Sequence, residues 1–236
     1  MGDDVAFVAR NLLDLLIGLP AQRPGGLLLS ILLSAASLSV GFGLAVIVAS
    51  LRDAPWAPVR AVGAAFVTVF RGVPLIMLLL IVHQFAAGGL AGIDGSTLRS
   101  AFVTLVLYAG AYQADIITSG LRAVPASLVE DARVLGASPL RAFLTVRLPY
   151  GLRVMGPALA GQAITLFKDS SVVVVLGVAE LTTTARIVLG NDVANAPYWV
   201  ATYLAVGALY LFTASGLSTL FARLTDTERH TGLVGH

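Results

Sequence analysis

The sequence predicts an all-α integral membrane protein with about five transmembrane helices. Of its 236 residues, 57% are hydrophobic and 12% are charged, whereas charged residues make up about 25% of a typical soluble domain. The chain has no cysteine, which excludes disulfides and Cys-ligated metal sites. Its net charge of +2 is too small to predict a nucleic-acid-binding surface. The composition therefore excludes an ordinary soluble enzyme and favours a chain that lies in membrane lipid.

Long uncharged runs locate the predicted spans. A helix needs about 20 mostly apolar residues to cross the hydrocarbon core of a bilayer. Five runs approach or exceed that length, four of them uncharged and one interrupted only by Asp115, and we expect spans at roughly 27–49, 71–88, 100–121, 151–168 and 197–222. The start of the second span is open, because the apolar run 59–70 can also form its first turns.

The segments outside the spans predict the orientation of the chain. Residues 5–19 are too short to span and are interrupted by Arg10, Asn11 and Asp14, so we expect an amphipathic helix at the membrane interface. With the N-terminus outside, the cytoplasmic segments hold ten of the fifteen basic residues, which predicts an outer N-terminus and an inner C-terminus. We expect one transmembrane domain over 1–236, with an interfacial segment 1–24, a cytoplasmic loop 122–150 and a cytoplasmic tail 223–236.

The polar loop 122–150 is predicted to begin with a capped helix. Ser127 followed by Glu130 matches a capping box, in which each side chain bonds the backbone amide of the other residue. The helix is expected to run to Leu135 and to stop at Gly136, the residue type suited to a left-handed C-terminal turn.

A second short helix is predicted to follow at once. Ser138 is a favoured N-cap residue, and Pro139 suits the first helical position, where no amide hydrogen is needed. Leu148 and Pro149 are expected to end this helix, because the residue before a proline avoids helical dihedrals. Two short helices joined at a glycine form either a solvated connector or a docking element for a soluble partner. The small residues at the joint favour docking, because they let another protein approach the backbone closely.

The loop resembles a known family motif. Bacterial ABC importer permeases carry an EAA loop, written EAA, three residues, G, nine residues, I, x, LP. This chain has Glu130-Asp131-Ala132, Gly136 and Val146-Arg147-Leu148-Pro149 at that spacing, with Asp131 for the first Ala and Val146 for the Ile.

Three further stretches are similar to the polar amino acid uptake subfamily, which includes histidine, glutamine, arginine and glutamate permeases. That subfamily usually has Glu at the position of Asp115 and Thr at the position of Ser170. With the EAA loop, these matches cover about residues 25–225. The stretches are Phe70-Arg71-Gly72-Val73-Pro74-Leu75, then Ala111-Tyr112-Gln113-Ala114-Asp115-Ile116 leading into Arg122-Ala123-Val124-Pro125, and Lys168-Asp169-Ser170-Ser171 with Gly177-Val178-Ala179-Glu180-Leu181-Thr182.

The resemblance implies the type I permease fold of ABC importers, with five or six spans and a cytoplasmic two-helix coupling loop, in the bacterial inner membrane. It implies a polar amino acid as substrate, delivered by an extracytoplasmic solute-binding protein. The implied partners are a second permease subunit, the same chain or a similar one, and a cytoplasmic ABC ATPase dimer that binds ATP and Mg²⁺. The residues implied to couple to the ATPase are Ser127, Glu130, Asp131, Ala132, Gly136, Ala137, Ser138 and Pro139.

The chain itself is not expected to be an enzyme or to hold a cofactor. A phosphate-binding loop needs Gly-Lys followed by Ser or Thr, but the single lysine, Lys168, follows Phe167. The three histidines form no HExxH pair, and no GxSxG sequence occurs. ATP hydrolysis is therefore expected on a separate polypeptide.

Polar residues within the spans are candidates for a substrate path, since such groups are costly in lipid. The short fourth span gives way to polar residues before a new apolar run, and a broken helix is tolerated only against protein or a watery cavity. The candidate path residues are Gln84, Gln113, Asp115, Gln162, Thr165, Asp169 and Ser170.

Several of these assignments stay open at the level of sequence. Asp115 either contacts substrate or pairs with Arg71 or Arg122 as a structural or gating clamp. Glu180 is expected on an outer helix near a docking face. The intramembrane carboxylates suit a cationic amino acid, whereas Arg71, Lys168 and Arg186 suit an acidic one.

Two other functions compete with the ATP-driven importer. In an ion-coupled or proton-coupled secondary transporter, Asp115 would be the coupling carboxylate and no ATPase would be needed. An intramembrane hydrolase would need a nucleophile–base pair, and the sequence offers none that can be defended. The five spans and the structured loop favour the importer.

Overall fold

The computed structural model describes residues 2–22, 24–88 and 96–231, and these residues are almost entirely helical, without a β-strand. Of the tail predicted for 223–236, residues 232–236 lie outside this described part. Ten α-helices follow in chain order: α1 Gly2–Ile17, α2 Gly26–Arg52, α3 Ala57–Gly72, α4 Leu75–Ala87, α5 Thr97–Arg122, α6 Ala126–Val134, α7 Pro139–Ala142, α8 Leu148–Asp169, α9 Leu181–Gly190 and α10 Trp199–Thr231. A π-helical turn, Phe143–Arg147, joins α7 to α8, and 3₁₀ helices Ser170–Leu176 and Val193–Tyr198 flank α9.

The prediction of about five spans is confirmed. Among the described residues, four helical segments are long and apolar enough to cross a membrane, and the bent pair of α3 and α4 makes a fifth if it counts as one span. The four are Gly26–Arg52, Thr97–Arg122, Pro139–Leu176 and Val193–Arg223.

The second span is two helices rather than one. The run 59–70, left open by the sequence, belongs to α3, and α4 begins after Pro74, whose backbone is extended at φ −55° and ψ 136°. Proline has no amide hydrogen and keeps the preceding residue, Val73, out of the helical region. The helix therefore breaks at Val73–Pro74.

The N-terminal segment forms the predicted helix, α1. Its buried residues are Phe7 and Leu15, and the ring of Phe7 stacks on Tyr198 with centroids 4.4 Å apart. The helix therefore packs on protein through one apolar stripe. Its place at the membrane interface stays a prediction.

The chain groups into two compact units. The first unit comprises residues within Met1–Ser39, Val73–Val106 and Ala163–Gly216. In it, the amide of Gly26 donates to the carbonyl of Ala179 at 2.9 Å, and the amide of Leu181 donates to Ser30 Oγ at 3.3 Å. These bonds fix the start of α9 against the start of α2.

The second unit comprises residues within Val40–Gly72, Leu107–Gln162 and Leu217–His236. In this unit α5 and α8 cross closely at two glycines. A Cβ built on Gly120 would lie 2.9 Å from Met155 Cβ and 3.2 Å from the carbonyl oxygen of Gly151. Only a residue without a side chain permits this approach. The buried core around it is formed by Ala45, Val48, Ala49, Val67, Ala114, Ile117 and Met155.

Candidate functional site

The first helix of the 122–150 loop starts two residues earlier than expected, and the predicted capping box is wrong. The N-cap of α6 is Pro125, and no side chain caps this helix. The amide of Leu128 donates to the Pro125 carbonyl at 3.2 Å, so Ser127 already lies inside the first turn and cannot act as its cap. A proline fits here because its extended backbone begins the turn and it has no amide hydrogen that needs a partner.

The end of α6 is as predicted. Gly136 has a positive φ of 89°, a conformation that costs an L-residue free energy but costs glycine little. The amide of Gly136 donates to the Arg133 carbonyl and the amide of Ala137 to the Ala132 carbonyl, both at 3.0 Å. With Leu135 as the C-cap, these two bonds form a complete Schellman motif. The turn direction at Gly136 is therefore set by the backbone.

The second helix starts as predicted but does not end where expected. Ser138 Oγ accepts from the amide of Arg141 at 3.3 Å, and Pro139 follows at the first helical position. Leu148 has helical dihedrals, φ −69° and ψ −49°, so the helix runs past Pro149 into α8. The π-helical turn explains the error: its wider turn removes the i→i−4 bond that proline cannot make and relieves the clash of its ring.

The segment 126–142, which we call the elbow, presents apolar side chains to solvent. Val134 is 85% exposed, Leu135 88% and Leu140 68%. The three residues flank the glycine turn, and Glu130 and Asp131 are also exposed. Large apolar side chains grouped on a stiff, capped projection are typical of a protein-binding surface.

In the second unit, one carboxylate joins two arginines. Asp115 of α5 accepts from Arg52 Nη1 of α2 at 2.9 Å through one oxygen, and its other oxygen pairs with Arg71 of α3. Arg71 was one expected partner. The other, Arg122, is exposed and lies at the end of the helix, seven residues beyond Asp115, and Arg52 takes that place. We call Arg52, Asp115 and Arg71 the arginine clamp.

Neighbouring residues hold the clamp in place. Arg52 Nη1 also donates to Thr118 Oγ1 at 3.4 Å, and the guanidinium of Arg71 lies 4.9 Å from the ring centre of Tyr112, within cation–π range. A Cβ on Gly63 of α3 would come within 2.9 Å of Arg52 Cγ. The arginine stem is therefore packed tightly against α3.

A small cavity adjoins the clamp within the same unit. Its volume is about 240 Å³, and its wall includes Asp115, Ser119 and Gly120 of α5 with Val154, Met155 and Ala158 of α8. Of the seven predicted path residues, Asp115 lines this cavity. The clamp therefore lies beside a space of small-solute size.

The other predicted path residues differ in burial. Gln113, Gln162 and Ser170 are buried, Asp169 is half-buried, and Gln84 and Thr165 are exposed. Ser170 Oγ donates to the Phe167 carbonyl at 2.7 Å, so this hydroxyl is used within its own helix end. Gln162 is 8% exposed, and its Nε2 has no hydrogen-bond partner among the described residues. The expected change after Lys168 is a switch from α-helix to 3₁₀ helix at Ser170.

Glu180 is a buried residue that caps the start of α9, and its expected place on an outer helix near a docking face stays a prediction. Its side chain is fully buried and caps α9 by accepting from the amides of Thr182 and Thr183, each at 2.8 Å. Tyr210 donates its hydroxyl to the same carboxylate at 2.9 Å. Burial raises the pKa of the Glu180 carboxyl above its ordinary value, although these hydrogen bonds oppose the rise.

Comparison with known proteins agrees with this architecture. Residues 41–227 match the family described as binding-protein-dependent transport system inner membrane component. The chain is 30% identical to the glutamate/aspartate import permease protein GltK of Escherichia coli over 71% of this chain and 77% of that protein. It is 28% identical to the arginine transport system permease protein ArtQ of Bacillus subtilis over 66% and 71% of the two chains.

A solved structure extends the agreement to the fold. The crystal structure of an amino acid ABC transporter with histidines aligns with a TM-score of 0.76 and 25% identity, covering 84% of this chain and 90% of that chain. The ABC importer permease fold is thereby confirmed. The chain belongs to the family of binding-protein-dependent transport system inner membrane components, and is a multi-pass membrane subunit of a transport system.

Proposed function

We propose that this chain is the permease subunit of an ATP-driven importer for polar amino acids. A solute-binding protein delivers the amino acid on the outer side, and a separate cytoplasmic ATPase drives the cycle. Two permease copies, or one copy and a similar chain, enclose the path. The N-terminus lies outside, so that the elbow and the C-terminus face the cytoplasm.

The observation that carries this proposal is the exposed apolar surface of the elbow. Val134, Leu135 and Leu140 are each more than two thirds exposed, although the end of α6 that includes Val134 and Leu135 is fully capped. Burial of such side chains is worth about 1.5–3 kcal/mol each, so a partner that covers them gains substantial binding free energy. The ATPase is the partner that an importer subunit without its own nucleotide site requires.

The relatives support an amino acid as the substrate. GltK is named as a glutamate/aspartate permease and ArtQ as an arginine permease, so similar chains serve amino acids of opposite charge. We therefore assign the class of polar amino acids and no single member.

We propose that the substrate path includes the polar residues of the spans. Gln162 has the strongest support, since a buried amide nitrogen without a partner among the described residues is costly and a passing solute can satisfy it. Asp115 adjoins the path chiefly as part of the arginine clamp. Gln84, Gln113, Thr165, Asp169 and Ser170 complete the proposed path. Alanine at Gln162 should weaken substrate-stimulated ATP hydrolysis, and unchanged stimulation would remove it from the path.

Reconstitution tests the function as a whole. The chain, co-expressed with its ATPase, should retain that ATPase on purification and import amino acid into ATP-loaded liposomes when binding protein is present. Replacing Leu135 and Leu140 together by Ser should reduce ATPase recovery. Val193→Ser is the matched control, because Val193 is 91% exposed but lies far along the chain from the elbow. Uptake by the permease alone on an ion gradient, without nucleotide, would refute the proposal.

A further inference from the structure

Arg147 links the start of α8 to the ends of two other helices. It is the last residue of the π-helical turn, and it occupies the position that the EAA pattern leaves unspecified. Its Nη1 lies 3.5 Å from Asp53 Oδ2, just beyond the end of α2. Its Nε donates to the carbonyl of Leu121 near the end of α5 at 3.4 Å. One side chain thus joins three helix ends within a single compact unit.

These contacts lie next to the arginine clamp. Asp53 follows Arg52 directly in the chain, and Leu121 lies six residues beyond Asp115 on α5. The close crossing at Gly120 and Gly151 holds α5 against α8 over the same stretch. A displacement of the start of α8 can therefore be passed through a few packed residues to the arginine clamp.

The second half of the elbow continues into α8 without a break in the helix. From Pro139 the backbone stays helical through the π-helical turn and into α8. Movement of the second half of the elbow should therefore reach Arg147, whose side chain bonds residues at the ends of α2 and α5.

The exposure of the pair indicates what its loss should do. The side chain of Arg147 is 30% exposed and that of Asp53 is 51% exposed, and ion pairs this accessible contribute little to folding. Arg52 and Arg71 both pair with Asp115. Among the described residues, Asp53 is the only acidic partner of Arg147. Loss of the pair should leave the fold intact and change how the helix ends move together.

We propose that Arg147 is a positioning residue that transmits elbow displacement to the ends of α2 and α5, and through them to the arginine clamp. This inference rests on the proposed function, since it takes an ATPase as the source of the displacement. The inference gives the Arg147–Asp53 ion pair a role in transport. Docking of the ATPase on the elbow would not by itself need this ion pair.

The test measures amino acid imported per ATP hydrolysed in liposomes that contain the whole complex. Arg147→Ala should lower this ratio about fivefold, the lower end of usual coupling effects, while ATPase recovery stays at the wild-type level. Asp53→Asn breaks the same pair from its more exposed end and should lower the ratio similarly, including where Arg147→Ala is poorly expressed. Exchanging the charges, with Arg147→Asp and Asp53→Arg together, should restore part of the ratio.

Arg153→Ala is the matched control, because Arg153 is exposed on α8 and none of the described residues pairs with it. Its ratio should equal that of the wild type. An unchanged ratio in Arg147→Ala would overturn the inference, and so would loss of ATPase from that variant, which would make Arg147 a docking residue. Failure of the proposed function is distinguishable, since the wild type itself would then retain no ATPase or import without ATP.

Discussion

Replacing Gly136 by alanine should weaken ATPase binding without unfolding the permease. At φ 89° an L-residue pays about 1–2 kcal/mol relative to glycine. No heavy atom lies within 4 Å of the position that a Cβ would take, so the cost is backbone strain alone. The residue is exposed, and relaxing the turn therefore disturbs the elbow and leaves the packed units unchanged.

The strain translates into a change of affinity. A cost of 1–2 kcal/mol lowers the equilibrium constant between the native turn and relaxed turns by a factor of about 5–30, and a partner that binds only the native turn loses affinity by up to that factor. Titrating the ATPase against the permease in nanodiscs measures that loss directly. Gly136→Asn is the control, because asparagine adopts the left-handed conformation more readily, and its loss should be smaller. Equal ATPase affinity of the wild type and Gly136→Ala would refute the role assigned to the turn.

Three further outcomes are expected. Gly120→Ala should lower the free energy of unfolding in detergent by about 1–3 kcal/mol through overpacking against Met155. Gly161→Ala is the control: no atom lies within 4 Å of its added Cβ, so its stability should be equal to that of the wild type or slightly higher. Equal stability of the two variants would contradict the close crossing. Asp115→Asn should lower the free energy of unfolding by about 1–2 kcal/mol, since it weakens two charge-assisted bonds that are partly exposed, and thermal unfolding that matches the wild type would argue against a clamp. Burial raises the pKa of Glu180, so the folded state favours the protonated carboxyl. The stability of the wild type relative to Glu180→Gln should therefore be greatest below the ordinary glutamate pKa and fall as pH rises through the raised value. A stability difference that does not vary with pH in thermal unfolding would contradict that assignment.

Local chemistry explains which parts of the elbow were predictable from sequence. Gly136 and the Ser138–Pro139 pair were placed correctly because each acts within one turn of helix. The capping box failed because Pro125 and Ser127 lie two residues apart and both suit a helix start. The sequence does not indicate which of the two residues takes the N-cap position. In the structure Pro125 takes it, because a proline has an extended backbone and no amide hydrogen that needs a partner.

The remaining errors concern interactions beyond one turn. Pro149 was expected to end a helix, but a π-helical turn just before it lets the helix continue. The residue types at 143–147 do not predict that turn. Arg52 was missed as a partner of Asp115 because its pairing depends on which faces α2 and α5 present where they meet. The number and rough positions of the spans were predictable, since a helix that crosses lipid needs about 20 mostly apolar residues, but the break at Val73–Pro74 was not predicted.

The π-helical turn also affects the direction in which the elbow faces. Such a turn is equivalent to one residue inserted into an α-helix, and each residue advances the helix by about 100°. Because the wider turn absorbs that extra residue, removing one amino acid from 143–147 would change the direction of Leu135 little but would bring back the clash of the Pro149 ring. Removing a second would rotate Leu135 by about 100° about the helix axis, so the number of residues between Gly136 and Pro149 sets the direction in which the elbow faces.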